Sequence, residues 1–235
     1  MKSSDVKTAL QELANPARAK SSAWFFKTGP GEYGEGDQFI GVTVPDQRRV
    51  AKTYRELPLP EVLTLLRSPI HEHRLTALFI LIEQYRRGDN SAKKQIAGLY
   101  HKNRQYVNNW DLVDSSAPYI LGDYLTTHSP TVLFRLAASK SLWDRRIAVI
   151  ATFVWLKLGQ CEMTLQLAAI LVDDKEDLIQ KAVGWALREV GKRDVALLLE
   201  FLDQQAATMP RTALRYAIER LTPDQKEYYL YAKNR

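Results

Sequence analysis

The sequence has one cysteine, Cys161, among its 235 residues. A lone thiol cannot close an internal disulfide, which suits a reducing compartment. Cys161 opens a helical segment between two polar residues and has no paired base, so it reads as structural. The first twenty residues, MKSSDVKTALQELANPARAK, contain no apolar signal core. The longest mostly apolar run, Ile147 to Leu156, is too short to span a bilayer. These absences lead to the expectation of a soluble, cytoplasmic protein with no membrane partner. Metal-ligand clusters are missing too. His71 and His73 form H-x-H, but residues two apart on a helix point in different directions and no third ligand cluster accompanies them. No metal and no cofactor are expected.

Acidic charge is the scarcer sign. Lys plus Arg number 33 against 27 for Asp plus Glu, a net charge of +6. That excess suits a polyanionic partner without requiring one. Hydrophobic residues make up 46% of the chain, enough for a sizeable core and too many for wholesale disorder.

Gly29, Gly31 and Gly34 spell G-x-G-x-x-G, yet a dinucleotide site is excluded. That fingerprint needs a strand before it and a helix directly after it. Here a helix carrying Trp24, Phe25 and Phe26 precedes it, and Glu32, Glu35 and Asp37 would repel a pyrophosphate. TGPGEYGEGD reads as a flexible surface loop. Before it, Pro16 to Lys27 reads as a helix capped by Asn15. After it, FIGVTVPDQRRVAK reads as a short apolar run into a helix opened by Pro45 and Asp46.

From Pro58 onward strand signal is nearly absent and helical periodicity recurs in pairs. The second helices, containing HRLTAL, RRIAVI, QKAVGW and PRTALR, align Arg74, Arg146, Lys181 and Arg211 in one column. Trp110 lies 36 residues from each of the first two, and the later steps are 35 and 30. Such a period is the signature of an α-solenoid, in which neighbouring repeats bury each other's apolar faces. An irregular helical bundle is the alternative. The expected fold is all-α: a right-handed solenoid of HEAT-like antiparallel helix pairs with a concave basic face. It would form a single domain over residues 1–235, with N-terminal helices and the Gly-rich loop in 1–57 and helix pairs in 58–235. The cation column would then line the concave wall and suit a phosphate backbone.

NNWDLVDSSAP, residues 108–118, departs from this pattern. Trp110, Val113, Asp114, Ala117 and Leu121 fall on one helical stripe, which is apolar except for the carboxylate. Pro118 removes the N–H that the Asp114 carbonyl would accept, so the helix should kink or open there. Asp111, or Asn109 as a cap, reads as ordinary helix-start chemistry. Asp114 divides between that reading and a carboxylate placed for chemistry beside an aromatic. Lys181, Trp185 and Arg188 share one helix face, so Trp110, Asp114, Arg146 and Trp185 are candidates to converge on one patch.

At these residues the chain resembles a known family. Trp110-Asp111-Leu112-Val113-Asp114-Ser115 with Ala117-Pro118, then Trp143 with Arg146, then Gln180-Lys181-Ala182, Gly184-Trp185 and Leu187-Arg188-Glu189 resemble the HEAT-like-repeat DNA alkylation repair glycosylases of the AlkD type. Phe39 to Arg49 resembles that family's segment before an early helix, and the likeness runs discontinuously to about Arg220. The resemblance implies a monomer that holds duplex DNA and excises cationic alkylated purines, N3-methyladenine and N7-methylguanine, in base excision repair. It implies Asp114 as the catalytic carboxylate, with Trp110 and Trp185 as aromatic contacts around the lesion. Arg146 and Arg188 would be DNA-binding residues, joined by Lys181, Arg74 and Arg211 from the cation column. In the cell it implies a nucleoid-associated protein. TGPGEYGEGD, and Thr43 and Val44 where a more polar pair is expected, depart from the family pattern. No lysine is placed as a nucleophile, so a monofunctional enzyme is expected. A non-catalytic DNA-binding solenoid that recognises distorted duplex, and a protein-interaction scaffold, are the alternatives.

Overall fold

The computed structural model describes residues 1–231. Among these it is all-helical; the sole β-type pairing is an isolated bridge between Gln38 and Ile70. No described helix is long and apolar enough to cross a membrane. The chain divides into two compact units, Met1–Ser116 and Ala117–Arg235.

The first unit holds α1 (Ser3–Gln11), α2 (Pro16–Phe25), α3 (Val44–Thr53), α4 (Leu59–Leu66), α5 (His71–Arg87), α6 (Asn90–Lys102) and α7 (Trp110–Asp114). The starts follow the local chemistry. Asn15 Oδ1 accepts the Arg18 amide at 3.0 Å, with Pro16 in the first turn of α2. Thr43 caps α3 ahead of Pro45 and Asp46. The core element is α5, whose residues 71–82 are all buried. Leu78 and Ile80 are fully inaccessible, each contributing roughly 1.5–3 kcal/mol of apolar burial. The helices α3, α4, α6 and α7 pack on α5, so α7 is held from the core side.

The second unit begins with a π-helical turn, Pro118–Gly122, then α8 (Asp123–Leu125), α9 (Thr131–Ala137), α10 (Leu142–Ala151) and α11 (Phe153–Lys157). There follow α12 (Glu162–Ile170), α13 (Asp177–Gly191), α14 (Val195–Gln205), α15 (Arg211–Ala217) and α16 (Pro223–Leu230). Here α13 packs against both α10 and α15, while α9 lies on α10 and α12 and α14 lie on α13. Stacking second helices in a row is what a repeat period in the mid-thirties demands. Gly184 permits a close crossing of α13 and α15: a Cβ there would lie 2.4 Å from the Ala213 carbonyl oxygen and 2.5 Å from Tyr216 Cβ.

The expected break at Pro118 is present. α7 stops at Asp114, and the Gly122 amide reaches back to the Ala117 carbonyl at 2.8 Å. This wider i→i+5 turn accommodates the donor that proline lacks. Along the stripe, Val113, Ala117 and Leu121 are buried, whereas Trp110 and Asp114 are half-buried.

Candidate active site

The site in the first unit is built around α7. Asn109, fully buried, accepts the Trp110 amide at 2.8 Å through its side-chain oxygen. Leu112 and Val113 are fully buried and anchor the inner face. Trp110 and Asp114, four residues apart, occupy one side of the short helix. Below them, the Tyr100 hydroxyl lies 3.0 Å from Ser116 Oγ. Burial pushes the Tyr100 hydroxyl well above its ordinary pKa; the Ser116 bond opposes this and the Asp114 charge adds to it.

Asp111 has a different role from Asp114. Its Oδ1 accepts the Leu112 amide at 2.8 Å, as helix-start chemistry requires. Its Oδ2 lies 2.7 Å from His71 Nε2. The other ring nitrogen, Nδ1, lies 2.9 Å from Asp37 Oδ2. Asp37 also pairs with the Arg74 guanidinium and accepts from Asn109 Nδ2 at 3.3 Å. His71 is 2% exposed. Burial disfavours its charge, but the bonds to Asp111 and Asp37 outweigh that and raise its pKa to about 9. Burial likewise raises the Asp37 carboxyl, yet His71 and Arg74 hold it below the usual carboxylate range. The outcome is a buried, alternating array of two carboxylates, an imidazolium and a guanidinium that joins the Gly-rich loop, α5 and the start of α7.

Aromatic rings cover this array. Phe26 stacks on Trp110 with centroids 5.3 Å apart and on Phe39 at 5.2 Å. Phe39 stacks on the His71 ring at 4.6 Å. The Trp110 indole N–H donates to the Tyr33 hydroxyl at 3.3 Å. The segment that reads as a flexible surface loop therefore contributes Tyr33 and Asp37 to the site. His73 faces elsewhere, with Nδ1 2.9 Å from Ser68 Oγ. Burial, Lys7 and Arg74 lower its pKa to about 4. Among the described residues no group of three His, Cys, Asp or Glu is arranged to hold a metal ion.

The cation column needs correction. Arg74 is 4% exposed; its guanidinium is taken up by the carbonyls of Ser68 and Pro69, at 3.1 and 3.2 Å, and by Asp37. It fastens the entry to α5 and does not stand on a solvent-facing wall. Its counterpart in the second unit is Arg145. That residue bonds the Ser139 and Lys140 carbonyls at 3.1 and 3.0 Å and pairs with Asp174 at 2.7 Å. The column that aligned Arg74 with Arg146 is thus one residue out of register. In a repeat this degenerate, the adjacent arginines at positions 145 and 146 are interchangeable in sequence; only the carbonyls each one meets tell them apart.

The remaining candidates lie in the second unit. Arg146 is 5% exposed, with Nη1 2.6 Å from the Leu178 carbonyl oxygen just inside α13. On α13 itself, Lys181 pairs with Asp177 at 2.7 Å, Trp185 packs on Phe153 at 4.5 Å and Arg188 pairs with Glu219. Arg211, exposed at the start of α15, donates to the Leu230 carbonyl at the end of α16. Lys181, Trp185 and Arg188 therefore share α13, Arg146 reaches its first turn from α10, and Arg211 stands apart on the next row.

A solved structure described as a predicted DNA alkylation repair enzyme from Enterococcus faecalis superposes with a TM-score of 0.69 at 17% identity. The superposition covers 89% of this chain and 97% of that one, and it shows a shared fold. No match is found among curated proteins. The family model for DNA alkylation repair enzymes matches residues 6–221, which spans α7, the α5 array and α13. The chain belongs to the DNA alkylation repair enzyme family.

Proposed function

We propose that this protein is a monofunctional DNA glycosylase that excises cationic alkylated purines, N3-methyladenine and N7-methylguanine, from duplex DNA in base excision repair. The observation that carries the reading is α7. A buried array fixes its inner side, while Trp110 and Asp114 remain half-buried on the other. Rigid support behind a partly accessible carboxylate and indole is what a preorganised site needs.

The chemistry follows from the substrate. A purine alkylated at N3 or N7 carries positive charge and leaves as a neutral base, so no acid has to protonate it. The sugar becomes oxocarbenium-like as the N-glycosidic bond lengthens. The Asp114 carboxylate supplies negative charge there and takes a proton from the water that adds to C1′. Trp110 lends its ring face to the growing positive charge. Trp185 is proposed as a second such contact, and Lys181, Arg188 and Arg211 as partners of phosphates; Arg146, buried and bonded to the Leu178 carbonyl, is proposed to position α13 instead of meeting DNA itself. The products are the neutral alkylpurine and an abasic strand.

Duplex DNA treated with a methylating agent tests the proposal directly. Incubation with the protein should free methylpurine and leave strands that break only on later alkaline heating. Methylpurine that stays on the DNA overturns the activity; immediate strand breaks overturn its monofunctional form.

A further inference from the structure

A cavity of about 860 Å³ lies in the first unit between α2, the segment leading into α3, and α5. That is within the usual range of small-ligand pockets, roughly 300–1,000 Å³. Its walls are mainly apolar and aromatic, including Phe26, Phe39, Val42 and Leu75. Trp24 and Phe25 stand at its edge, 83% and 55% exposed, an unusual placement for large rings. Gly41 shapes the wall: its φ is +79°, and a Cβ there would lie 2.2 Å from the Asn15 carbonyl oxygen.

Three polar features make the cavity selective. Gln47 is 2% exposed and lines the pocket; its Nε2 donates to the Val42 carbonyl at 2.9 Å, while its buried Oε1 meets no donor in the protein. The Val42 bond fixes the amide orientation, so the orphan is an acceptor that calls for an N–H. The two carboxylates on the wall are already satisfied. Glu72 accepts the amides of Ile40, Gly41 and Val42, the shortest at 2.7 Å, and Asp111 is bound to His71. The exposed cations at the rim are Arg18 and Lys20, with Arg18 anchored by its Nε to the Gly41 carbonyl at 2.9 Å.

Flat rings, one buried acceptor and rim cations together match a nucleotide: a base that stacks, an N–H on its pairing edge, and a phosphate. We infer that this cavity binds an unpaired nucleotide of a distorted DNA duplex, its base stacked on Trp24 and flanked by the edges of Phe26 and Phe39, its N–H edge on Gln47 Oε1 and its phosphate at Arg18 and Lys20. The cavity adjoins Trp110, which Phe25 and Phe26 both touch, at 5.9 and 5.3 Å. It therefore lies where a base displaced beside a lesion would arrive. The inference rests on the proposed action on DNA.

The test uses the full chain and two duplexes of one sequence, carrying 2-aminopurine either in a one-nucleotide bulge or fully paired. The wild type should bind the bulged duplex about tenfold more tightly, the range of one base-on-aromatic stack, and quench its fluorescence. Trp24→Ala should lose the quenching and bring the affinity ratio to about one. So should Ser21→Trp, which fills the mouth from an exposed position. Both changes sit at exposed sites, and melting curves matching the wild type confirm the fold. Equal affinities for the two duplexes in the wild type, or an unchanged ratio in both variants, overturns the inference and leaves the glycosylase reading standing. Tighter binding of adenosine monophosphate alone than of the bulged duplex overturns it in favour of a free-nucleotide site. Binding to neither duplex overturns both readings together.

Discussion

His71 Nε2 and Asp111 Oδ2 lie 2.7 Å apart, and that contact, reaching across 40 residues, ties the helix bearing Trp110 and Asp114 to the buried core helix. The same ring holds Asp37 at 2.9 Å on its other nitrogen. One histidine thus fastens two segments to α5, and its charge is what both bonds require.

The first prediction follows from that charge. The pKa of His71 rises from 6.5 in the unfolded chain to about 9 in the fold. The stabilisation is fully present below pH 6.5 and is lost as pH rises through 9, and the shift corresponds to on the order of 3 kcal/mol. Denaturant melts of the wild type should weaken across that window, and those of His71→Gln should lack this component. Identical pH slopes for the two proteins would show that the ring is not charged in the fold.

The neighbouring His73 has the opposite dependence. Its pKa falls from 6.5 to about 4, so the fold holds it neutral. That contribution is present above pH 6.5 and lost as pH falls toward 4. His73→Gln should flatten the acid side of the stability profile and leave the alkaline side as in the wild type.

Asn109 caps α7 and touches Asp37, at 2.8 and 3.3 Å. Replacing it with Ala should cost about 1–2 kcal/mol in stability through the lost cap. On the proposed account, base release should fall by more than that energy implies, because α7 shifts while the rest of the fold survives. Parallel melting and single-turnover assays measure the two losses, and losses of equal size would reduce Asn109 to an ordinary helix cap.

Gly184→Ala places a methyl 2.4 Å from the Ala213 carbonyl oxygen, which belongs to the backbone of α15. Overpacking of this kind costs roughly 1–3 kcal/mol. Calorimetry should record a lowered melting temperature; an unchanged one would mean that the α13–α15 crossing relaxes freely.

Much of the layout was legible in residue patterns. The period of the second helices anticipated the row of α10, α13 and α15, and Pro118 anticipated the π-turn that opens at that residue. The mixed stripe of Trp110, Val113 and Asp114 anticipated a helix buried on one side alone. The supporting array was not legible. Asp37 sits in a glycine-rich loop, 34 residues before His71 and 72 before Asn109, and no helical period links positions so placed. Arg74 read as a solvent-facing cation because a sequence cannot show that its guanidinium turns back onto the Ser68 and Pro69 carbonyls. Asp111 read as a helix-start residue, which it is, but its second oxygen is engaged by a partner 40 residues away.

The central claim is that Asp114 performs the excision. Wild type and Asp114→Asn should be compared on one N7-methylguanine duplex, with DNA binding and released base measured in the same samples. The account predicts matching affinities and base release at least about 100-fold slower in the variant, the usual scale for loss of a positioned carboxylate. Release by Asp114→Asn at the wild-type rate would contradict it.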